Sequence, residues 1–449
     1  MNPPESTMLL GPAKPAAASA VHSDLTRFEA ESARYYRRNY AAGLIHGIFF
    51  QMSTAFGSIQ TVLPAFVTLL TSSTVAVGLM AAIQEIGEII PQLFTAYLLE
   101  DKPRKKGYLL GVITLRWLSW GVLAWLTYRY GLTQPGLVLL VLISLFGLFS
   151  IAGGMGAVLY ADIFARAIPV ERRGRFTGAR QILGFALAIL AGWVVKLILD
   201  NKATFPFPTN YSLIFALSAA SLAVAFTGFA LIREPVYPVQ RRSKSLGAML
   251  RQALVLVKLN PNFRRFLASR AILGLAVGLA PFYVVHARQS LEISAGAVGL
   301  FLSFQMAGAA LSNLLWAFLA DRYGNKYVIL GTMTSAGLAP LLALWLPGVT
   351  PLVYGLVFAL LGAMLSGLRL GYNNFVLEMA APEMRATCVA LQNTLLAPIT
   401  LLPLVAGYLI QQVSFGLVFG VEAALMGVGL VISLYLLDPR RGAAGACIS

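Results

Sequence analysis

Long apolar runs separated by short polar segments dominate this chain. An apolar run of about 20 residues, wound as a helix, crosses a hydrocarbon core of about 30 Å. Twelve such runs are present. The first six are 42–70, 75–99, 108–130, 137–161, 179–199 and 211–232. The second six are 266–287, 295–319, 327–347, 351–377, 387–411 and 416–437. Turns as short as Thr71–Thr74 and Val413–Phe415 force neighbouring runs to be antiparallel. The pattern predicts an all-α membrane protein of twelve transmembrane helices in two six-helix bundles, residues 41–232 and 266–437.

Between the bundles, residues 233–265 form the longest interior linker. Within it Leu246, Met249, Leu250, Leu254 and Val257 recur at helical spacing, interrupted by Arg251 and Lys258. This predicts an amphipathic helix lying at the membrane interface. Residues 1–40 and 438–449 are expected as cytoplasmic tails. Ser23 could cap a short surface helix in the first of these, with Asp24 in its first turn. No cleavable signal segment is evident in the tail.

Composition agrees with the runs. Of 449 residues, 58% are hydrophobic and 12% charged, with a mean hydropathy of +0.75. Soluble domains sit near 45–50% apolar and about 25% charged. The formal charge of +16 raises the question of nucleic acid, and the distribution answers it. Lys and Arg gather on the cytoplasmic side of membrane proteins. With the N-terminus inside, 27 basic residues fall on the cytoplasmic side and three (Arg129, Lys202, Arg288) on the other. Four more, Arg116, Lys196, Arg270 and Arg369, lie within runs. One miscounted helix would scramble this split. Both termini are therefore expected in the cytoplasm, in a bacterial inner membrane, with the lipid bilayer and not nucleic acid as the partner of the basic loops. A monomer is expected.

The two sets of six resemble each other. The fourth-to-fifth linker reads Pro169-Val-Glu171-Arg-Arg173, and the tenth-to-eleventh reads Pro382-Glu383-Met-Arg385. The eighth-to-ninth loop reads Ala317-Phe-Leu319-Ala-Asp321-Arg322-Tyr-Gly324-Asn325-Lys326. Its counterpart after the second run reads Ala96-Tyr-Leu98-Leu-Glu100-Asp101-Lys-Pro103-Arg104-Lys105-Lys106. On these residues the chain resembles the major facilitator superfamily, whose loop motif G-x-L-a-D-R-x-G-R-K follows the second span and recurs, weaker, after the eighth. Here the second copy is the better kept, with Ala317 for Gly and Asn325 for Arg. In the first copy Glu100 takes the acid position and Pro103 replaces the Gly. The resemblance implies a secondary transporter with a central cavity lined by the first, fourth, seventh and tenth spans. The signatures of drug–proton antiporters in the fifth span and of sugar porters after the sixth are missing.

Such a loop needs Gly or Pro for its turn. Its acid can pair with a neighbouring helix's basic residue or face a helix N-terminus. Glu100, Asp101, Arg104, Arg173, Asp321, Arg322, Gly324, Lys326 and Arg385 are read as a cytoplasmic gate, the alternative being ordinary solvated loop charges.

Charges inside a bilayer cost about 2.5–3.5 kcal/mol each on insertion scales and default to functional hypotheses. Glu85 and Glu88 lie near the middle of the second run, on one helical face. Such a pair could hold a proton and couple it to transport. Equally, one of them pairs with Arg116 on the third run and both are structural. Arg369 and Asn373, at spacing four in the tenth run, could bind an anionic group of a substrate, or Arg369 could pair with Glu378. Gln51 in the first run and Gln392 and Asn393 in the eleventh are further candidates for the cavity wall. Gln305 and Asn313 read as packing groups. Lys196, Glu422 and Arg270 lie near run ends and are expected to snorkel. Pro281, Pro340, Pro398 and Pro403 could mark kinks.

Two cysteines (Cys388, Cys447) and three histidines (His22, His46, His286) have no metal-ligand or disulfide spacing. No phosphate-cradling loop is present, and no cofactor or enzyme activity is expected. The leading expectation is a secondary transporter of a small molecule by alternating access, with protons or another ion coupled. A non-transporting receptor or assembly factor of the same fold is the alternative.

Overall fold

A computed structural model describes residues 15–99, 102–235, 260–291, 293–346, 349–380 and 385–441. Among them are sixteen α-helices and no strand. They are α1 (Pro15–Phe56), α2 (Val62–Leu70), α3 (Thr74–Leu99), α4 (Lys106–Tyr130), α5 (Pro135–Ala167), α6 (Val170–Asp200), α7 (Thr209–Ala230) and α8 (Pro261–Leu279). Then follow α9 (Phe282–Ser290), α10 (Ala297–Tyr323), α11 (Asn325–Trp345), α12 (Pro351–Gly367), α13 (Asn373–Met379), α14 (Arg385–Leu396), α15 (Leu402–Gln412) and α16 (Phe415–Leu434). The linker segment expected to be amphipathic lies outside the described residues.

Starts of helices follow from local chemistry. Pro occupies the first turn of α5, α8 and α12, where its missing N–H costs nothing. Asn260 accepts from the Phe263 amide at 3.0 Å and Ser414 from the Leu417 amide at 3.2 Å, capping α8 and α16. The N-terminal segment differs from expectation. No separate surface helix begins at Ser23, because α1 runs unbroken from Pro15 into the first apolar run.

Ten helical stretches are long and apolar enough to cross a membrane, and the bent pair α8–α9 makes up to eleven. The first expected run, 42–70, which completes the twelve, is interrupted at 57–61 between α1 and α2. Three other runs are also broken. α8 and α9 meet at 43° next to Pro281. A π-helical turn, Leu368–Tyr372, separates α12 from α13. A 3-10 turn, Ala397–Leu401, containing Pro398, separates α14 from α15. Pro340, by contrast, sits inside an unbroken α11. Large apolar side chains such as Trp125, Leu140, Leu311 and Val431 stand exposed on the outer helix faces, as a lipid-covered surface requires.

Helices α1 and α3–α7 form one packed group and α8–α16 a second, with α15 packing chiefly on α3 and α9 on α2. Hydrogen bonds repeat between these two groups. Asn39 Nδ2 donates to the Arg233 carbonyl and Asn39 Oδ1 accepts from the Arg233 amide, at 3.0 and 2.8 Å. Asn262 makes the same pair of bonds to Leu437, at 3.0 and 2.8 Å. Lys106 Nζ donates to the carbonyls of Ala230 and Ile232 at the end of α7. Lys326 Nζ donates to Leu434 at the end of α16. The internal likeness read from the loops thus extends to individual contacts.

The groups meet through α3 against α15 and α6 against α10. Both contacts are closest at one end of the molecule. Thr74 Oγ1 donates to the Gly407 carbonyl at 2.6 Å, and Ser73 Oγ to Gln411 Oε1 at 3.0 Å. Asp200 Oδ1 accepts from the Gly296 amide at the start of α10, at 3.0 Å. Arg288 donates to the Ala65 carbonyl. At the opposite end, the hydrogen bonds of the charged loops among the described residues stay within one group; short of those loops one bond still crosses, from Asn313 Nδ2 on α10 to Gln181 Oε1 on α6 at 3.0 Å. The protein is sealed at one end and parted at the other.

Candidate functional site

A cavity of about 630 Å³ lies between the two groups. From the first group it takes residues of α1, α3, α4, α5 and α6; from the second, residues of α8, α10 and the broken tenth and eleventh runs. Its size falls in the range of small-molecule sites, about 300–1,000 Å³. Gln51, Glu85, Glu88, Arg116, Arg369, Asn373 and Asn393 line it.

Close packing of α3 on α5 positions the acidic pair. A Cβ on Gly154 would stand 2.7 Å from the Glu88 carbonyl, and one on Gly87 would stand 2.6 Å from Ser150 Cβ. Only small residues at these positions let the two backbones approach so closely. The approach sets both acids at the cavity wall. Gln84 Nε2 donates to Glu88 Oε1 at 3.2 Å. Arg116 lies between two rings, its guanidinium carbon 3.9 Å from the Phe149 centroid and 4.9 Å from that of Phe50. Its Nε is buried without a hydrogen-bond partner. Glu88 exerts its field on Arg116 but forms no ion pair with it. Among the described residues, no carboxylate stands within the 4.0 Å of a salt bridge from Arg116.

Arg369 falls inside the π-helical turn, so its spacing to Asn373 is not that of a regular α-helix. Both residues nevertheless reach the cavity, and Glu378 pairs with Arg440 instead of Arg369. Gln392 departs from expectation. It is buried with Oε1 unpartnered and does not line the cavity, because its neighbour Asn393 takes the inward-facing position on α14.

Three residues have surroundings that their positions in sequence concealed. Arg180, one of the 27 basic residues assigned to the cytoplasmic side, lies within α6 and reaches the cavity, where its Nη1 donates to Tyr160 Oη at 2.8 Å. Arg270, expected to snorkel, also lines the cavity, within electrostatic reach of Glu85. Glu422, likewise expected to snorkel, is 1% exposed. Tyr283 Oη donates to its Oε2 at 2.9 Å. The bend at Pro281 brings Tyr283 onto α16 and so encloses the carboxyl.

Glu100 and Asp101 lie outside the described residues. The other loop residues brace individual helices. Arg173 donates to the carbonyls of Ile168 and Ala165 at the end of α5. Arg385 donates to the Leu377 carbonyl in α13 at 3.0 Å. Gly324, at φ +101°, joins α10 to α11, and a Cβ there would crowd Asp438. That backbone conformation favours glycine. Arg104 is exposed. Arg322 lies 5.8 Å from the Tyr323 ring centroid. Asp321 forms no ion pair among the described residues, and the salt bridge beside it joins Arg440 to Glu378.

The family model described as Major Facilitator Superfamily matches residues 45–395 and, in a second match, 266–446. No curated protein matches by sequence. Solved structures resemble the fold along nearly its whole length. The nucleoside transporter NupG gives a TM-score of 0.63 at 17% identity, covering 90% of this chain and 100% of its own. A D-xylose-proton symporter gives 0.68 at 14%, covering 92% and 100%. A POT family transporter in complex with 5-aminolevulinic acid gives 0.65 at 12%, covering 89% and 96%.

Proposed function

The chain belongs to the major facilitator superfamily, and from that premise we propose that it is a secondary transporter moving a small solute by alternating access. The observation that carries this reading is the polar cavity between two helix groups that meet at one end and part at the other. A solute bound there shifts the balance between two arrangements by its differing affinity for each. The divisions at 41–232 and 266–437 mark the two bodies that rock.

The distribution of Lys and Arg supports an N-terminus in the cytoplasm. In that orientation the sealed end faces outward and the present arrangement is inward-facing. We assign the protein to a bacterial inner membrane, with both termini cytoplasmic.

Proton coupling falls to Glu85 and Glu88. They stand three residues apart at the cavity wall, close enough for the charge of one to oppose that of the other. The test is uptake of a radiolabelled solute into proteoliposomes with and without an imposed pH gradient. Glu85→Gln and Glu88→Gln are compared with the native protein. At least one variant is expected to lose gradient-driven accumulation tenfold or more while keeping solute exchange. Unchanged gradient dependence in both would remove the proposal.

A further inference from the structure

We infer that the cavity selects a small organic anion, whose carboxylate or phosphate is taken by arginines from both helix groups, chiefly Arg116 and Arg369. That this anion is also carried across the membrane rests on the transporter reading above; its binding rests on the cavity alone.

Charge balance is the first argument. The ionisable carboxylate and guanidinium groups lining the cavity are Arg116, Arg180, Arg270 and Arg369 against Glu85 and Glu88. Four cations face two anions. None of the four arginines has a carboxylate within salt-bridge distance among the described residues. At Arg116 and Arg270, whose Nε atoms are buried without a hydrogen-bond partner, a guanidinium without a counter-charge is costly, and an anionic ligand would offset that cost. Elsewhere the chain supplies the carboxylate itself: Asp162 with Lys105 and Arg166, Asp200 with Lys196, Glu378 with Arg440. The cavity is where positive charge is left for a ligand.

The second argument is how the arginines are held. Arg116 is held over two ring faces, its guanidinium carbon 3.9 Å from the Phe149 centroid and 4.9 Å from that of Phe50. Ring contacts of this kind favour the cation and use none of its N–H groups as hydrogen-bond donors to an acceptor atom. Those donors match the fork geometry of a carboxylate or phosphate. A cationic solute would be repelled by them, and a neutral one would gain only weaker bonds without the charge-assisted fork.

The third argument is placement. Arg116 and Arg180 belong to the first helix group, Arg270 and Arg369 to the second. An anion held between Arg116 and Arg369 bonds to both groups at once. It therefore interacts differently with two arrangements that change the spacing of the groups, which is what a transported solute must do.

The experiment is ligand stabilisation and titration calorimetry on the purified full chain in detergent. The probes are benzoate, phenyl phosphate, benzyl alcohol and benzylamine, with inorganic phosphate and chloride as controls for ionic strength. Benzoate or phenyl phosphate is expected to raise the melting midpoint in proportion to concentration; the other organic probes and the inorganic salts should not. Comparing the two anions separates carboxylate from phosphate recognition. Arg116→Gln and Arg369→Gln are each expected to weaken the binding anion tenfold or more. Arg129→Gln, in the last turn of α4 and outside the cavity lining, should not. If Arg116→Gln fails to fold, Arg369→Gln carries the test, because its side chain is exposed within the parted cavity. Equal stabilisation by the alcohol or amine would overturn the inference. So would unchanged anion binding in Arg369→Gln, or no response to either organic anion at millimolar concentration. Binding without flux in proteoliposomes would remove the transporter reading and leave this one standing. Gradient-driven flux of a neutral or cationic solute would do the reverse.

Discussion

Asn262 closes a two-bond clasp on the backbone of Leu437, and Asn39 closes the same clasp on Arg233. Each clasp fixes the chain where it leaves the last helix of its group. Asn262→Ala would leave the Leu437 amide and carbonyl without their partner. An unsatisfied buried polar group costs about 1–3 kcal/mol. The melting midpoint of Asn262→Ala, followed in detergent, is expected to fall by several degrees, with Asn39→Ala falling similarly. A midpoint equal to the native one would show that water or lipid headgroups satisfy these groups. The same scale explains which site residues were legible in sequence. Glu85, Glu88, Arg116 and Arg369 interrupt apolar runs, so their cost in a bilayer announces them. Arg180 and Arg270 sit near run ends, where a long side chain can reach water or turn inward. Nothing in the local pattern decides between these directions. The environment of Glu422 was hidden for a related reason: the helix bend that encloses it is a tertiary feature.

At the scale of elements, glycines set the contact between α6 and α10. A Cβ on Gly192 would stand 2.8 Å from the Gly299 carbonyl, and one on Gly299 would overlap the backbone at Lys196 and Gly192. Ser303 Oγ adds a bond to the Ile189 carbonyl at 3.0 Å. Gly299→Leu should wedge these helices apart at the sealed end without altering a cavity residue. On the alternating-access reading, it shifts the protein toward the arrangement open at that end. A single cysteine placed at Gln60 in the cavity wall, in a Cys388→Ser, Cys447→Ser background, reports the shift. Its labelling by an impermeant maleimide added outside intact cells should rise severalfold in Gly299→Leu. Unchanged labelling in a folded variant would separate this contact from gating. The apolar runs made most helices readable, because about 20 apolar residues admit few other structures in a membrane. Their interruptions were less readable. Pro281 and Pro398 accompany breaks while Pro340 does not. A proline in the sequence marks a lost backbone donor, and the packing that decides between a break and a continuous helix is not written in the local pattern.

For the whole molecule, the two helix groups are linked mainly by α3 with α15 and α6 with α10. The repeated clasps within each group show two similarly built bodies, and the end-specific seal shows where they touch. If transport requires that seal to open, a covalent bond across it must stop the cycle. Ser73 Oγ and Gln411 Oε1 lie 3.0 Å apart, on opposite sides of the seal and away from the cavity lining. Ser73→Cys with Gln411→Cys, in the same background lacking Cys388 and Cys447, brings two thiols into the region where a disulfide or a short bifunctional linker can form. Oxidation should abolish solute uptake in proteoliposomes, and reduction should restore it. Either single variant, treated alike, should keep its uptake. Binding offers the second readout: the cross-linked protein should still bind its anion from the parted end with native affinity. Loss of uptake with binding retained would locate the block in the conformational step. Full uptake through a verified cross-link would mean that the seal does not open during transport, and the rocking of two bodies would have to be abandoned.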